Sequence, residues 1–69
     1  MLRNPQEQRP KFKAGDRVVV VGPGVHRERR GIVAEVRHSG DYVYRYRVRF
    51  ADGASEQFFG FELAPVEGD

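Results

Sequence analysis

The sequence predicts an all-β fold: a small, partly open five-stranded barrel with one 3₁₀ turn and a flexible N-terminal arm. Three observations carry that prediction. From residue 42 to residue 50, even positions read Tyr, Tyr, Tyr, Val, Phe and odd positions read Val, Arg, Arg, Arg. That is the period of a strand with one face on a core and one in water. Apolar runs elsewhere are short and are broken by Gly-, Pro- and Asp-containing clusters, the punctuation of strands and tight turns. No segment repeats apolar residues at the 3.6-residue period over the length a stable helix needs. A chain of 69 residues has room for one core, and it typically nets only ~3–5 kcal/mol unless disulfides, a metal or a partner contributes.

Residues 1–10 hold two Pro, two Arg and three amide side chains with little to bury. They are expected to form a disordered arm ahead of a single domain at 11–67. The domain opens at Lys11-Phe12-Lys13-Ala14, turns at Gly15-Asp16 and enters its first strand at the β-branched run Val18-Val19-Val20-Val21. Gly22-Pro23-Gly24 ends that strand, because Pro offers no N–H and both Gly favour turn geometry. A polar loop, Val25 to Arg30, leads to a second strand over Gly31 to Arg37. Val33 and Val36 are three apart and break the alternation, so a bulge is expected near Ala34-Glu35. The turn cluster His38-Ser39-Gly40-Asp41 feeds the third strand at 42–50, and Asp52-Gly53 serves a tight hairpin into a fourth strand at Ser55 to Phe59. Gly60-Phe61-Glu62-Leu63 reads as a turn of 3₁₀ helix that drops Phe61 and Leu63 inward, before a last short strand at Ala64-Pro65-Val66. The expected core is Val18, Val20, Val33, Val36, Tyr46, Val48, Phe50, Phe58, Phe61 and Leu63. Closing such a sheet into a barrel also disposes of exposed edges.

Composition removes whole classes of function. The chain has no cysteine, which excludes disulfide, thiolate and Cys-ligated metal chemistry together, and two His are too few for a structural zinc site. No cofactor is expected. The first residues lack the apolar stretch of a signal peptide, and no apolar run approaches ~18 residues. A soluble, cytoplasmic protein without membrane contact is the expectation. The net charge of +2 is unevenly spread: all twelve Lys and Arg lie at or before Arg49 with five of the ten acidic residues. Residues 1–49 therefore carry +7 and residues 50–69 carry −5, an electrostatic hint about partners, although in a barrel the two halves interleave in space and the count alone does not define two separate patches.

At Gly15-Asp16-Arg17-Val18-Val19-Val20, Gly24 and Gly31-Ile32-Val33, the chain resembles the KOW motif of ribosomal and transcription-elongation proteins, a two-strand unit of SH3-like barrels. The Lys-Gly pair usual in the KOW loop is replaced here by Arg27-Glu28-Arg29-Arg30. Over roughly residues 12–67, Gly15-Asp16-Arg17-Val18, His26-Arg27, Arg30-Gly31, Val33, Tyr46-Arg47-Val48-Arg49-Phe50 and Phe61-Glu62-Leu63 are similar to the C-terminal barrel of nitrile hydratase β subunits. The photosystem I subunit IV proteins show a related pattern. These resemblances imply an SH3-like barrel that docks on RNA or on a larger protein. Plasmid-type dihydrofolate reductases look alike in length and fold, but of their pore-lining Val-Gln-Ile-Tyr strand Glu56-Gln57-Phe58-Phe59 retains only Gln57, and Val19 to Val21 offers valine where that family has a basic residue.

Catalysis needs positioned groups, and the chain supplies few. His26 and His38 lie in separate loops and are expected to be solvated, with Ser39 adjacent in sequence to His38 and badly placed to share a hydrogen bond with it. Gly22-Pro23-Gly24 is a turn, since neither Gly-Lys-Ser/Thr nor a helix follows. A binding protein without enzymatic activity is expected. The candidate surface is the stripe Arg45, Arg47 and Arg49, whose alternate positions project from one strand face about 6.6–6.8 Å apart, close to the spacing of phosphates along one nucleic-acid strand. Arg37 and the loop residues Arg27, Arg29 and Arg30 extend it. Tyr42 and Tyr44, at the strand's beginning where a small barrel opens, are candidates for stacking on bases or on a partner, or else they cap the core. Against the stripe stands a purely structural account in which Glu35 and Glu56 pair with it across strands. Two partner classes follow: nucleic acid or ribonucleoprotein, and alternatively a larger protein complex or a second copy of the chain.

Overall fold

The computed structural model describes residues 10–38 and 43–66. Residues 1–9 of the expected arm, the turn residues Ser39, Gly40 and Asp41, the candidate Tyr42, and residues 67–69 lie outside the described residues. The described chain is all-β, with five strands: β1 (Arg17–Val20), β2 (Arg30–His38), β3 (Tyr44–Phe50), β4 (Ser55–Phe59) and β5 (Leu63–Pro65). One 3₁₀ turn, Gly60–Glu62, connects β4 to β5. All neighbours pair antiparallel in the order β4-β3-β2-β1-β5, so β4 and β5 are the edges of an open sheet.

The strand phase follows the alternation in the sequence. Tyr46, Val48 and Phe50 of β3 are buried, and Arg47 and Arg49 between them are exposed. The β2–β3 register shifts between Val33 and Glu35, leaving Ala34 as the extra residue of the expected bulge. That single insertion keeps Val33 and Val36 both on the core side. β1 starts at Arg17, earlier than the valine run, because its ladder continues beyond β5, with the Val66 N–H donating to the Arg17 carbonyl at 3.1 Å. It stops before Val21, whose N–H donates to the Glu62 carbonyl of the 3₁₀ turn at 2.8 Å.

The core consists of Phe12, Val18, Val20, Val33, Tyr46, Val48, Phe50, Phe58 and Leu63, with Val36 and Tyr44 packed against it. Phe61 is not part of it, contrary to expectation: its side chain is 78 % exposed. The reason is the backbone: Leu63 has already left the 3₁₀ turn in an extended conformation and pairs with the buried Val20 as β5 begins, so it faces the core from the strand, while Phe61 sits within the turn and is left to solvent. Phe12 takes up the aromatic role that Phe61 leaves. The Lys11 N–H donates to the Tyr46 hydroxyl at 2.6 Å, and the Phe12 ring meets Tyr46 edge-on at 5.4 Å, so the segment ahead of β1 covers part of the core.

Two glycines are demanded by geometry. A Cβ on Gly31 would sit 2.6 Å from the Arg49 carbonyl oxygen and 2.6 Å from a Val48 methyl, which lets β2 and β3 approach as no other residue would. In the β3–β4 hairpin the Phe50 N–H donates to the Ala54 carbonyl at 2.8 Å and the Gly53 N–H to the Phe50 carbonyl at 2.9 Å, with Gly53 at φ 89°. That is a tight turn closed by a left-handed residue, the geometry an Asp-Gly pair favours.

Candidate functional site

Register sorts the basic residues. Arg17, Ile32, Arg49 and Ser55 lie side by side across four strands, Glu35, Arg47 and Gln57 form the next row, and Arg37, Arg45 and Phe59 form the one beyond. Arg30 pairs with Val19 on the same side. All these positions point away from the core, because their sequence neighbours Val18, Gly31, Val33, Val36, Tyr46, Val48 and Phe58 pair with one another in the intervening rows. Arg17, Arg30, Arg37, Arg45, Arg47 and Arg49 thus share one face, and among the described residues Glu35 is the single acidic side chain paired into it.

The stripe on β3 is engaged to different degrees. Arg47 Nη2 lies 2.9 Å from Glu35 Oε1, a half-exposed pair of the kind that contributes ~0.2–1 kcal/mol. The Arg45 guanidinium sits 5.4 Å from the centre of the Phe59 ring. Arg49 has no acidic group in ion-pair range among the described residues. It lines a groove of about 310 Å³ with Arg17, Arg30 and the half-exposed Ile32. Arg17 was not among the residues singled out from the sequence. Its signal was the phase of β1: with Val18 and Val20 inward, Arg17 must face out beside Ile32.

The loop arginines separate from this face. Arg29 lies on the core side, its guanidinium 4.2 Å from the centre of the Phe50 ring and its Nη2 3.2 Å from Asp52 Oδ2. Its Nη1 is 3.3 Å from Nδ1 of His26. His26 is not a solvated loop residue. Its ring stacks on Phe50 at 5.2 Å and 13°, meets Phe58 edge-on at 6.1 Å, and brings Nε2 to 3.7 Å from Glu56 Oε2. Glu56 therefore faces this cluster, opposite Val48 in register, and does not pair with the outer stripe. Arg27 is exposed on the loop, where its N–H donates to the Gly24 carbonyl at 3.2 Å.

His38 closes β2 and lies over the Tyr44 ring at 4.5 Å and 24°. Tyr44 is partly buried against the core and so has the capping role. The aromatic rings on offer at the arginine face are others: Phe59, partly exposed, and Phe61, which stack at 5.7 Å and 10°. No cluster of His, Asp and Glu among the described residues is arranged to hold a metal ion.

Two carboxylates are held below the ordinary value of 3.8. Asp16 accepts hydrogen bonds from the Lys13 backbone N–H at 3.0 Å and the Lys13 ammonium at 2.9 Å, both favouring the ionised form. Asp52 accepts the Ala54 N–H at 3.0 Å and also faces Arg29. Both lie off the arginine face, in turns that they brace.

No protein-family model matches the chain, and no curated protein matches it.

Proposed function

We propose that this protein is a non-enzymatic binding module that holds nucleic acid, alone or within a ribonucleoprotein, on the outer face of its sheet. One observation carries the reading: six arginines from β1, β2 and β3 converge on a face into which, among the described residues, Glu35 is the single acidic side chain paired by register. Arg49, Arg30 and Arg37 have no ion-pair partner among the described residues, so phosphates need displace no internal contact there. Guanidinium groups a strand-repeat apart suit phosphate oxygens in both charge and hydrogen-bonding geometry. A four-strand meander whose 3₁₀ turn leads β5 back to pair with β1 supports the SH3-like assignment expected from the sequence. Among the described residues no helix is long and apolar enough to cross a membrane.

The test is a salt titration with mixed-sequence RNA and DNA oligonucleotides. Affinity is expected to fall linearly on a log–log plot, with a slope of about −0.7 to −0.9 per phosphate neutralised, and Arg45, Arg47 and Arg49 to Gln together should flatten it. Absence of binding at low salt removes this reading. A second reading, docking on a larger protein, draws support from the exposed apolar side chains of Val25 and Ile32. It predicts binding that changes little with salt and survives the triple substitution.

A further inference from the structure

Phe59 and Phe61 are a stacked aromatic pair that the core does not require. Their rings lie 5.7 Å apart and 10° from parallel, and the far side of Phe61 meets solvent. The turn that carries Phe61 is well fixed. Glu62 Oε1 accepts the Phe59 N–H at 2.9 Å, and the Glu62 carbonyl accepts the N–H groups of Val21 and Gly22 at 2.8 and 3.2 Å. An apolar ring is thus held in water by anchored backbone. Beside the Glu62 carboxylate, which is engaged by the Phe59 N–H, stand cations: Phe59 shares a register row with Arg45 and Arg37, the Arg45 guanidinium lies against the Phe59 ring, and Lys11 Nζ is 3.5 Å from the Gly60 carbonyl oxygen.

We infer that the Phe59–Phe61 pair is a platform on which an unpaired base stacks, so that the nucleic acid taken by the arginine face is single-stranded. This rests on the reading of that face as a nucleic-acid surface. A protein partner would match an apolar ring with apolar neighbours, whereas here the side chain against the pair is the Arg45 guanidinium, with Arg37 next in its row. A nucleotide carries both an apolar π-face and a phosphate, and the row Arg37–Arg45–Phe59 presents the complement of both. In a duplex each base face is already covered by the next base pair, so the outer face of Phe61 finds nothing to stack on; a single strand leaves its bases free to turn toward it. Stacking of this kind is worth roughly 5- to 150-fold in affinity for each base, with little sequence preference.

The chain has no tryptophan, so Phe61→Trp supplies a single reporter. Titrated with an oligo-dT of about 12 nucleotides, its emission should be quenched; a duplex of the same length should leave it unchanged. Phe61→Ala should bind oligo-dT about tenfold more weakly with the same log–log salt slope and the same duplex affinity. Its circular dichroism melt, expected to match the wild type because the side chain is exposed, checks the fold. Unchanged oligo-dT affinity for Phe61→Ala, an equal loss on duplex, or quenching by duplex as strong as by oligo-dT overturns the platform and leaves the arginine face standing. If Phe61→Ala instead dissociates a dimer in sedimentation, the pair is a contact between copies and the platform is wrong. Should the wild type bind neither oligonucleotide at low salt, the underlying reading fails as well.

Discussion

Arg29 and Arg49 come from the same basic half of the chain, yet the fold uses them in opposite ways. Arg29 joins a closed circuit at one end of the core, lying over Phe50, pairing with Asp52 and touching His26, which itself stacks on Phe50. Arg49 lies on the outer face beside Arg17 and Arg30 with Ile32 between them. The first region satisfies its charges internally, whereas in the second Arg49 and Arg30 have no ion-pair partner among the described residues. Charge counted along the sequence does not separate the two; strand phase does. An arginine on an outward strand position is held away from the core by the pleat, while one in a loop goes wherever the loop folds.

The largest test of this division concerns the pleat itself. Val48 is fully buried, so Val48→Asp places an unpaired carboxylate in the core at a cost of several kcal/mol, comparable with the whole stability of so small a domain. Gly31→Val drives a side chain into the Arg49 carbonyl and the Val48 methyl. Both variants are expected to show no cooperative melt by circular dichroism; a folded Val48→Asp protein means that β3 presents its other face to the core.

A smaller effect separates the two arginines directly. Arg29→Gln removes a cation–π contact and an ion pair, for a loss of about 1–2 kcal/mol and a Tm drop on the order of 5–10 °C. Arg49→Gln should leave Tm within a few degrees, and even the triple change at Arg45, Arg47 and Arg49 should stay within about 1 kcal/mol while removing most nucleic-acid binding. Equal Tm losses for Arg29→Gln and Arg49→Gln would erase the distinction.

The smallest effect is acid sensitivity. Asp16 and Asp52 have folded values depressed below 3.8, so the stability they contribute is fully present well above that value and is lost as pH falls through it toward the folded values. Tm measured from pH 5 down to pH 2 should fall less in the Asp16→Asn, Asp52→Asn double variant than in the wild type. Binding at pH 7 should be the same in both, because neither carboxylate lies on the arginine face.

Most of the fold was legible because it is written in short-range patterns. The alternation over 42–50 gave the phase of β3, the Val33–Val36 spacing gave the bulge, and Asp52-Gly53 gave the hairpin. What was hidden depends on long-range packing. Phe12 enters the core through Tyr46, thirty-four positions away, and of Phe61 and Leu63 only Leu63 faces inward, because it pairs with Val20 at the start of β5 while Phe61 stays on the turn. Of the candidate surface, Arg45, Arg47 and Arg49 were legible from period alone, and Arg37 from its place at the end of the second strand, whereas Arg30, expected in the loop, opens β2. Arg29 and His26 were not, since no local rule tells a loop which aromatic ring it will fold against, and Arg17 needed the phase of β1.

The extra residue at Ala34 falls where β1 ends its pairing with β2, just past Ile32. Before it β2 has neighbours on both sides, and after it only β3. A bulge bends its strand, so the outer face turns a corner there, with the row Arg17–Ile32–Arg49 on one side and the row Arg37–Arg45–Phe59 on the other. On the proposed reading of this face as a nucleic-acid surface, a double helix, stiff over ~150 base pairs, would have to stay straight where the face bends. A flexible polymer can bend over both rows. On that reading, the bend set by one inserted alanine would favour a flexible strand over a stiff one.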